Sequence, residues 1–191
     1  MLRHFIRTLG LGAAMLLVGL QTASATTSLY ISDTEQAQLS TAVVVAKIQG
    51  SEVLPHDRYD TVMTRTELRV EEVLFGDAPS NVTIHQIGGT LDGQTVYVPG
   101  DAKFERGELC VLFLRKIEDR WFLTAMEQSK YLLTENSKFG PLMTRTLSHS
   151  LVIRNDKGEL VNYEEPIRPP IKRLKVFRQQ LAALLPTGGA R

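Results

Sequence analysis

The sequence predicts a mainly β domain, and three observations carry that prediction. From Thr61 onward, apolar or hydroxyl side chains alternate with charged ones, the period of a strand with one buried face. Residues 42–48 and 109–114 are nearly continuous apolar runs, the first rich in β-branched valine. Such runs suit strands buried on both faces. Glycine-bearing turn signals (Gly76-Asp77, Gly88-Gly89, Asp92-Gly93, Pro99-Gly100, Lys157-Gly158) separate the runs.

Taken in order, residues 26–32 read as a short lead-in. Residues 33–39 read as a short helix capped by Ser32 or Asp33, with Glu35 and Gln36 in its first turn. Residues 42–48 form the first strand, and 54–60 a polar loop. The long strand sets Val62, Thr64, Thr66, Leu68 and Val70 on one face and Met63, Arg65, Glu67, Arg69 and Glu71 on the other. It ends at Gly76. Residues 82–87 form the next strand, broken by Gly88-Gly89. Asp92-Gly93 is a tight hairpin signal before a strand over 95–98. Residues 109–114 form the strongest core strand, and shorter strands follow over 121–125, 130–133, 150–154 and 159–162. Pro166 to Pro170 is a stiff connector. A helix over 171–185 carries Ile171, Leu174, Phe177, Leu181 and Leu184 at spacings of three and four. Lys172, Arg173, Lys175 and Arg178 load its other side, and the tail beyond is loose. Five or more strands, one long and strongly alternating, suit a small OB-like barrel, closed or partly open, with a short N-terminal and a longer C-terminal helix. A two-sheet sandwich is the alternative.

The N-terminus reads as a signal peptide over residues 1–25. Arg3 and Arg7 precede an apolar run from Leu9 to Leu20, and Ala23-Ser24-Ala25 is a small-x-small cleavage site. The apolar run spans about a dozen residues, and crossing a bilayer takes about 20. The mature chain then begins near Thr26, with a β domain over 26–165 and a helix and tail over 166–191. The expected location is periplasmic or secreted. Removing the leader takes two arginines from the 22 Lys+Arg and nothing from the 21 Asp+Glu, leaving a net charge of −1. So small a charge has no global field to draw in nucleic acid or an anionic membrane. Neither partner is expected, and membrane contact is not expected after cleavage.

Cys110 is the single cysteine. The domain therefore has no internal disulfide and relies on its core. Within its apolar run Cys110 reads as a small buried hydrophobe. His56, His85 and His149 do not pair at any metal-ligand spacing, although His56 lies beside Asp57 and Asp60 in a polar loop. Ser148-His149-Ser150 sets hydroxyls beside an imidazole, but strand neighbours point to opposite faces. The same geometry separates Glu71 from Glu72. Asn81-Val82-Thr83 fits the glycosylation acceptor pattern. No catalytic elbow, phosphate loop or zinc motif is present. No catalytic residue, metal or cofactor is expected.

Binding is expected from the loops of a rigid barrel. The candidate residues are Gly88, Gly89, Asp92 and Gly93 of the hairpin, with Tyr97, Phe104 and Trp121 as aromatic platforms. The leading reading is an exported, non-enzymatic module that recognises another exported protein. The alternatives are a small-ligand or glycan binder using a barrel groove, and an enzyme whose site is assembled from distant residues.

The runs 39–48 and 66–76, Gly88-Gly89…Gly93…Val98-Pro99-Gly100, and 104–114 resemble a family of uncharacterised exported bacterial proteins. That family's pattern is a helix, an ADAVVxGxV strand, VxxVLKG, a GG…G…VPG hairpin and an FxxGExxxxFL strand. The resemblance spans roughly residues 33–133. The first two runs also resemble, more distantly, the netrin-like OB barrel of the tissue inhibitors of metalloproteinases. That resemblance implies a five-stranded barrel and a protease partner. Those inhibitors reach zinc through a disulfide-held N-terminal cysteine. This chain has no cysteine before Cys110, so that mechanism and its residues do not carry over.

Overall fold

The computed structural model describes residues 27–136, 138–148, 150–154, 157–163 and 171–184. The expected leader over 1–25, His149, the connector over 166–170 and the tail beyond residue 184 lie outside them.

The chain is mainly β. It opens with β1 (Thr27–Leu29), α1 (Asp33–Leu39), β2 (Ala42–Pro55), β3 (Val62–Gly76), β4 (Asn81–Ile87), β5 (Gly89–Leu91) and β6 (Gln94–Val96). It continues with β7 (Leu109–Ile117), β8 (Arg120–Leu123), a 3-10 turn (Met126–Ser129), β9 (Lys130–Thr134) and β10 (Leu142–Thr144). The last elements are β11 (Ser150–Arg154), β12 (Leu160–Tyr163), β13 (Lys172–Arg173) and α2 (Leu174–Ala182). One sheet has the order β13-β10-β9-β7-β2-β3-β4-β8, and β7 also pairs with β8. Strands β7, β2, β3, β4 and β8 therefore form a ring of five. A single parallel contact, Ile84 with Trp121, joins β4 to β8 and completes it. The strands β1, β11 and β12 form a separate sheet, and β5 and β6 a hairpin.

The burial of each strand explains its sequence pattern. On β2 and β7, Val43, Val45, Val111 and Phe113 face an outer cluster that holds Ala37 of α1 and Leu174, Phe177 and Leu181 of α2. Their neighbours Val44, Ala46, Ile48, Cys110, Leu112 and Leu114 face an inner cluster with Leu68, Val82, Ile84 and Trp121. Both faces are covered, so both runs are continuously apolar. Strand β3 alternates because only one face of its middle is covered: Thr66 and Leu68 are buried, Glu67 and Arg69 exposed. Register shifts between Val43/Val44, Val45/Ala46 and Ile48/Gly50 bend the β2–β3 pair. Such irregularities re-aim side chains, and past them Leu74 and Phe75 pack on the outer cluster.

Several boundaries differ from the expectation. Strand β2 runs on to Pro55, because Leu54 and Pro55 pair with Met63 and Val62. Met63, grouped with the charged face, is buried; it sits between Leu54 and Ile87 in the sheet. The C-terminal helix begins at Leu174 rather than Ile171. Lys172 and Arg173 pair with β10 instead, and Ile171 is 66% exposed. Helix α1 has the expected bounds. Ser32 caps it, and Glu35 completes a capping box.

Candidate functional site: a groove beside the β5–β6 hairpin

Gly88 interrupts the chain between β4 and β5, and the next three residues turn back as a strand. Asp92 and Gly93 make the two-residue hairpin turn, both at positive φ (49° and 79°). The hairpin lies close against β2 and β3. A Cβ on Gly89 would stand 2.7 Å from Val53 Cγ1 and 2.8 Å from Thr64 Oγ1. A Cβ on Gly88 would stand 2.8 Å from the Val96 carbonyl oxygen. The paired glycines are thus explained by close packing of the hairpin. The Thr64 hydroxyl donates to the Gly88 carbonyl at 2.7 Å and fastens its base.

The 97–104 segment walls a groove of two lobes, one against this hairpin, β3 and β4, the other against β9 and β10. One lobe, about 460 Å³, is floored by Ser51, Thr64, Thr66 and Gln86 and walled by Gly88, Gly89 and Phe104. The other, about 380 Å³, runs past Glu108, Lys130 and Leu132 to Thr144 and Ser148. Tyr97, Asp101, Ala102 and Lys103 line both. Pockets of this size accommodate small molecules or short segments of a polymer.

Asp101 sits at the junction. Gln86 Nε2 donates to Asp101 Oδ1 at 2.7 Å and to the Ala102 carbonyl at 2.9 Å. The Ala102 N–H donates to the same Oδ1 at 3.0 Å. Asp101 Oδ2 takes no protein donor among the described residues, and it is not among their buried orphan atoms. It is therefore not sealed from solvent, and Asp101 lines the recess beside His85 as well as both lobes. Burial raises the Asp101 carboxyl above its ordinary pKa, the bonds from Gln86 and Ala102 oppose the shift, and the nearby Glu127 charge adds to it. Glu127 accepts from the Ser148 N–H and, at 2.6 Å, from its hydroxyl.

The aromatic candidates separate. Tyr97 is 68% exposed on the wall shared by both lobes. Phe104 lines the larger lobe but packs on the inner cluster, and Lys130 Nζ lies 4.9 Å from its ring centroid. That ammonium is held by Glu108 Oε2 and the Lys103 carbonyl, each at 2.6 Å. Trp121 is 8% exposed in the inner cluster. It lines neither lobe, so its role as a platform is withdrawn: the β4–β8 contact needs it inside the ring. Asp92 and Gly93 stand at the hairpin tip, outside the groove lining.

Of the histidines, His56 and His85 sit in separate surroundings, and His149 lies outside the described residues. His56 Nδ1 accepts from the Arg58 N–H at 3.1 Å, and Arg120 pairs with Asp57. Among the described residues no group of three or more His, Cys, Asp or Glu side chains is placed to hold a metal. His85 lines a small recess of about 200 Å³ behind Asp101, with Phe122 and Met126. Among the described residues its Nδ1 is buried without a hydrogen-bond partner. Burial lowers its pKa, and a hydrogen bond to the Trp121 backbone works against that shift. Cys110 is buried in the inner cluster, and burial pushes its thiol up to about 12. It is therefore protonated and unreactive at neutral pH.

A second polar cluster was not anticipated. Asp33 on α1 accepts from the Tyr131 hydroxyl at 2.8 Å and pairs with Lys172. The buried Arg145 guanidinium lies 3.6 Å from Asp33 Oδ1 and 4.6 Å from the Tyr131 ring centroid, and it donates to the Gln128 carbonyl. This cluster lies on the outer side of the sheet, with the outer apolar cluster, and joins α1, β9 and β13.

No family model, curated protein or solved structure matches this chain.

Proposed function

We propose that this chain is an exported, non-enzymatic binding module that seats its ligand in the two-lobed groove. The ring of five strands is read as an OB-like, partly open barrel, a fold that commonly presents ligands on its sheet face and loops. The order β2-β3-β4-β8-β7 and the single contact between β4 and β8 support that reading. The observation that carries the functional reading is the shared wall of Tyr97, Asp101, Ala102 and Lys103 between two concave lobes. One exposed aromatic ring and one unengaged carboxylate oxygen sit there together.

Two sources of ligand fit such a module. One is a segment of another exported protein, a protease among them; the other is a free small ligand or glycan. The exposed side chains of Tyr97 and Ile87 beside the groove favour the protein reading, since aromatic anchors dominate protein interfaces. Affinity capture from the exported fraction of the producing cell, with the wild-type chain and Tyr97→Ala in parallel, tests it. A partner recovered by the wild type and lost with Tyr97→Ala supports the groove as the seat. A partner recovered equally by both moves recognition to another face of the molecule.

A further inference from the structure

We infer that the protein partner is held by an extended segment that pairs, as an added strand, with the free edge of β2 over residues 50–55 and sets a basic side chain against Glu52 and Glu67. The inference rests on the reading that this module recognises another protein, and it names how that partner is held. On one side β2 pairs with β3 along its whole length. On the other side β7 covers it only over residues 42–47, and Gly107 and Glu108 bond Ile48. Beyond Ile48 no strand flanks that side among the described residues; β5 meets β2 at the Val53 side chain and does not pair with it. The ladder fixes which groups are free. The Val62 carbonyl accepts from the Gly88 N–H, on the β4 side. Val62 therefore turns its polar groups away from Pro55, its partner on β2. Hydrogen-bonding direction alternates along an antiparallel pair. Leu54, Glu52 and Gly50 thus bond β3, while Val53 and Ser51 turn their N–H and C=O groups to the open edge. Such a row of unpaired groups is a template for another strand.

Three observations fit an occupant of this edge. Ser51 lines the larger lobe and also a recess of about 230 Å³ formed with Gly50, Glu52, Arg65 and Glu67. The edge thus runs between two concavities, and an added strand sends alternate side chains to each. Gly50 is the second observation. Its φ lies outside the left-handed region, and a Cβ there would meet nothing within 4 Å. Neither backbone geometry nor packing among the described residues asks for a glycine. A glycine inside a strand marks the close approach of another chain. Because Gly50 bonds β3, an antiparallel strand on its open side meets it at the narrow Cα spacing of about 4.5 Å. The third is charge. Arg65 is paired with Glu52, and Glu67 makes no ion pair among the described residues. The recess therefore carries two acids against one base. Arg69 beyond it is held by Glu71, and Lys47 lies across from Arg69 in the stretch that β7 covers. A second copy of this chain is the poorer occupant. Pairing Ser51 of each edge with Val53 of the other sets the two Glu52 side chains directly opposite, which is repulsive.

The test is a titration of the full chain, isotopically labelled, with three capped octapeptides. One alternates threonine with lysine, one alternates threonine with glutamate, and the last is the lysine peptide N-methylated throughout, which removes its backbone donors. The lysine peptide is expected to shift the Ser51 and Val53 amide resonances in a saturable manner and to slow their hydrogen exchange. The glutamate peptide is expected to bind roughly fivefold more weakly, and the methylated peptide not to bind. Gly50→Val enters open space without a backbone conflict, so the fold is kept. It is expected to weaken the lysine peptide about tenfold, through the clash with the added strand. Glu67→Gln is expected to weaken it about threefold at low salt, with the difference fading at high salt. The inference fails if the Ser51 and Val53 amides do not respond, if the methylated peptide binds as well as its parent, or if Gly50→Val binds like the wild type. It fails equally if those amides are already protected without peptide, increasingly so with protein concentration, because a second copy then holds the edge. If affinity capture yields a protein lost with Tyr97→Ala and kept by Gly50→Val, the groove stands as the seat and the added strand does not. The reverse pattern keeps the edge and removes the groove.

Discussion

Asp101 is held under two opposed demands. Gln86 and Ala102 fix its orientation through one oxygen, while burial of the carboxyl group disfavours its charge. A folded-state pKa above the unfolded value means the native protein binds more protons than the unfolded chain between the two values. The group's favourable contribution is then full below about pH 3.8 and is lost as pH rises through its folded pKa. At neutral pH the carboxylate is a burden on stability. Asp101→Asn should therefore raise the urea midpoint at pH 7, with the advantage shrinking toward pH 4, while ligand affinity falls. Equal midpoints at both pH values would show that the carboxylate is not held at a disadvantage. His85 has the other sign. Burial lowers its pKa, so its contribution is present above about pH 6.5 and is lost as pH falls through the folded value. Arg65, Arg120 and Asp57 are the charged groups that act on it, the arginines lowering its pKa and Asp57 raising it. His85→Gln should flatten the decline in stability between pH 6.5 and 5, measured by denaturant unfolding across that range. An unchanged slope would assign the decline to other groups.

At the scale of elements, the β5–β6 hairpin is the piece on which the groove depends. Its seat on β2 and β3 is close because Gly89 has no side chain, at a φ of 131°. Gly89→Ala places a methyl against Val53 and Thr64 in a backbone conformation that side chains avoid, at a cost of about 1–3 kcal/mol. The expected result is loss of that stability together with weakened ligand binding, read by thermal melts and titration of the same sample. Destabilisation with unchanged affinity would detach the groove from the hairpin. The hairpin also shows what the sequence made legible. Asp92-Gly93 predicts the turn, and the glycine pair marks special backbone, because positive φ leaves a compositional trace. Strands β2, β7 and β3 are legible because two-sided and one-sided burial leave different periodicities. The three-residue strands β5 and β10 and the two-residue β13 carry no period at all, so they pass unseen. The site is legible in the same partial way. Tyr97 and the glycines belong to a recognisable loop. Asp101 does not, since its role comes from Gln86 on β4, and nothing in the chain links the two residues before folding. Trp121 misleads for the converse reason: a large aromatic on a short strand reads equally well as platform or core.

At the scale of the molecule, the two apolar clusters share one wall, the strands β2 and β7, whose side chains point alternately into each. Helix α2 closes the outer cluster. Phe177 lies edge-on to Phe113, with ring centroids 5.9 Å apart, and 6.4 Å from Tyr131. Tyr131 in turn donates to Asp33 on α1, and Asp33 pairs with Lys172 just ahead of α2. The two helices are thereby tied to the same strand of the same sheet, through a buried aromatic and a shared carboxylate. A chain held in this way should unfold as one unit, because neither helix can leave without opening the outer cluster and uncovering one face of the shared wall. Phe177→Ala tests this directly. Truncating a fully buried phenylalanine costs about 3–5 kcal/mol. The loss should appear as a single cooperative transition at lower denaturant, with fluorescence from Trp121 in the inner cluster and far-ultraviolet circular dichroism changing together. Trp121 reports on the cluster that α2 does not touch, so coincidence of the two signals is the informative result. An early loss of helical signal with Trp121 fluorescence unmoved would mean that α2 is an appendage and that the ring of strands stands without it.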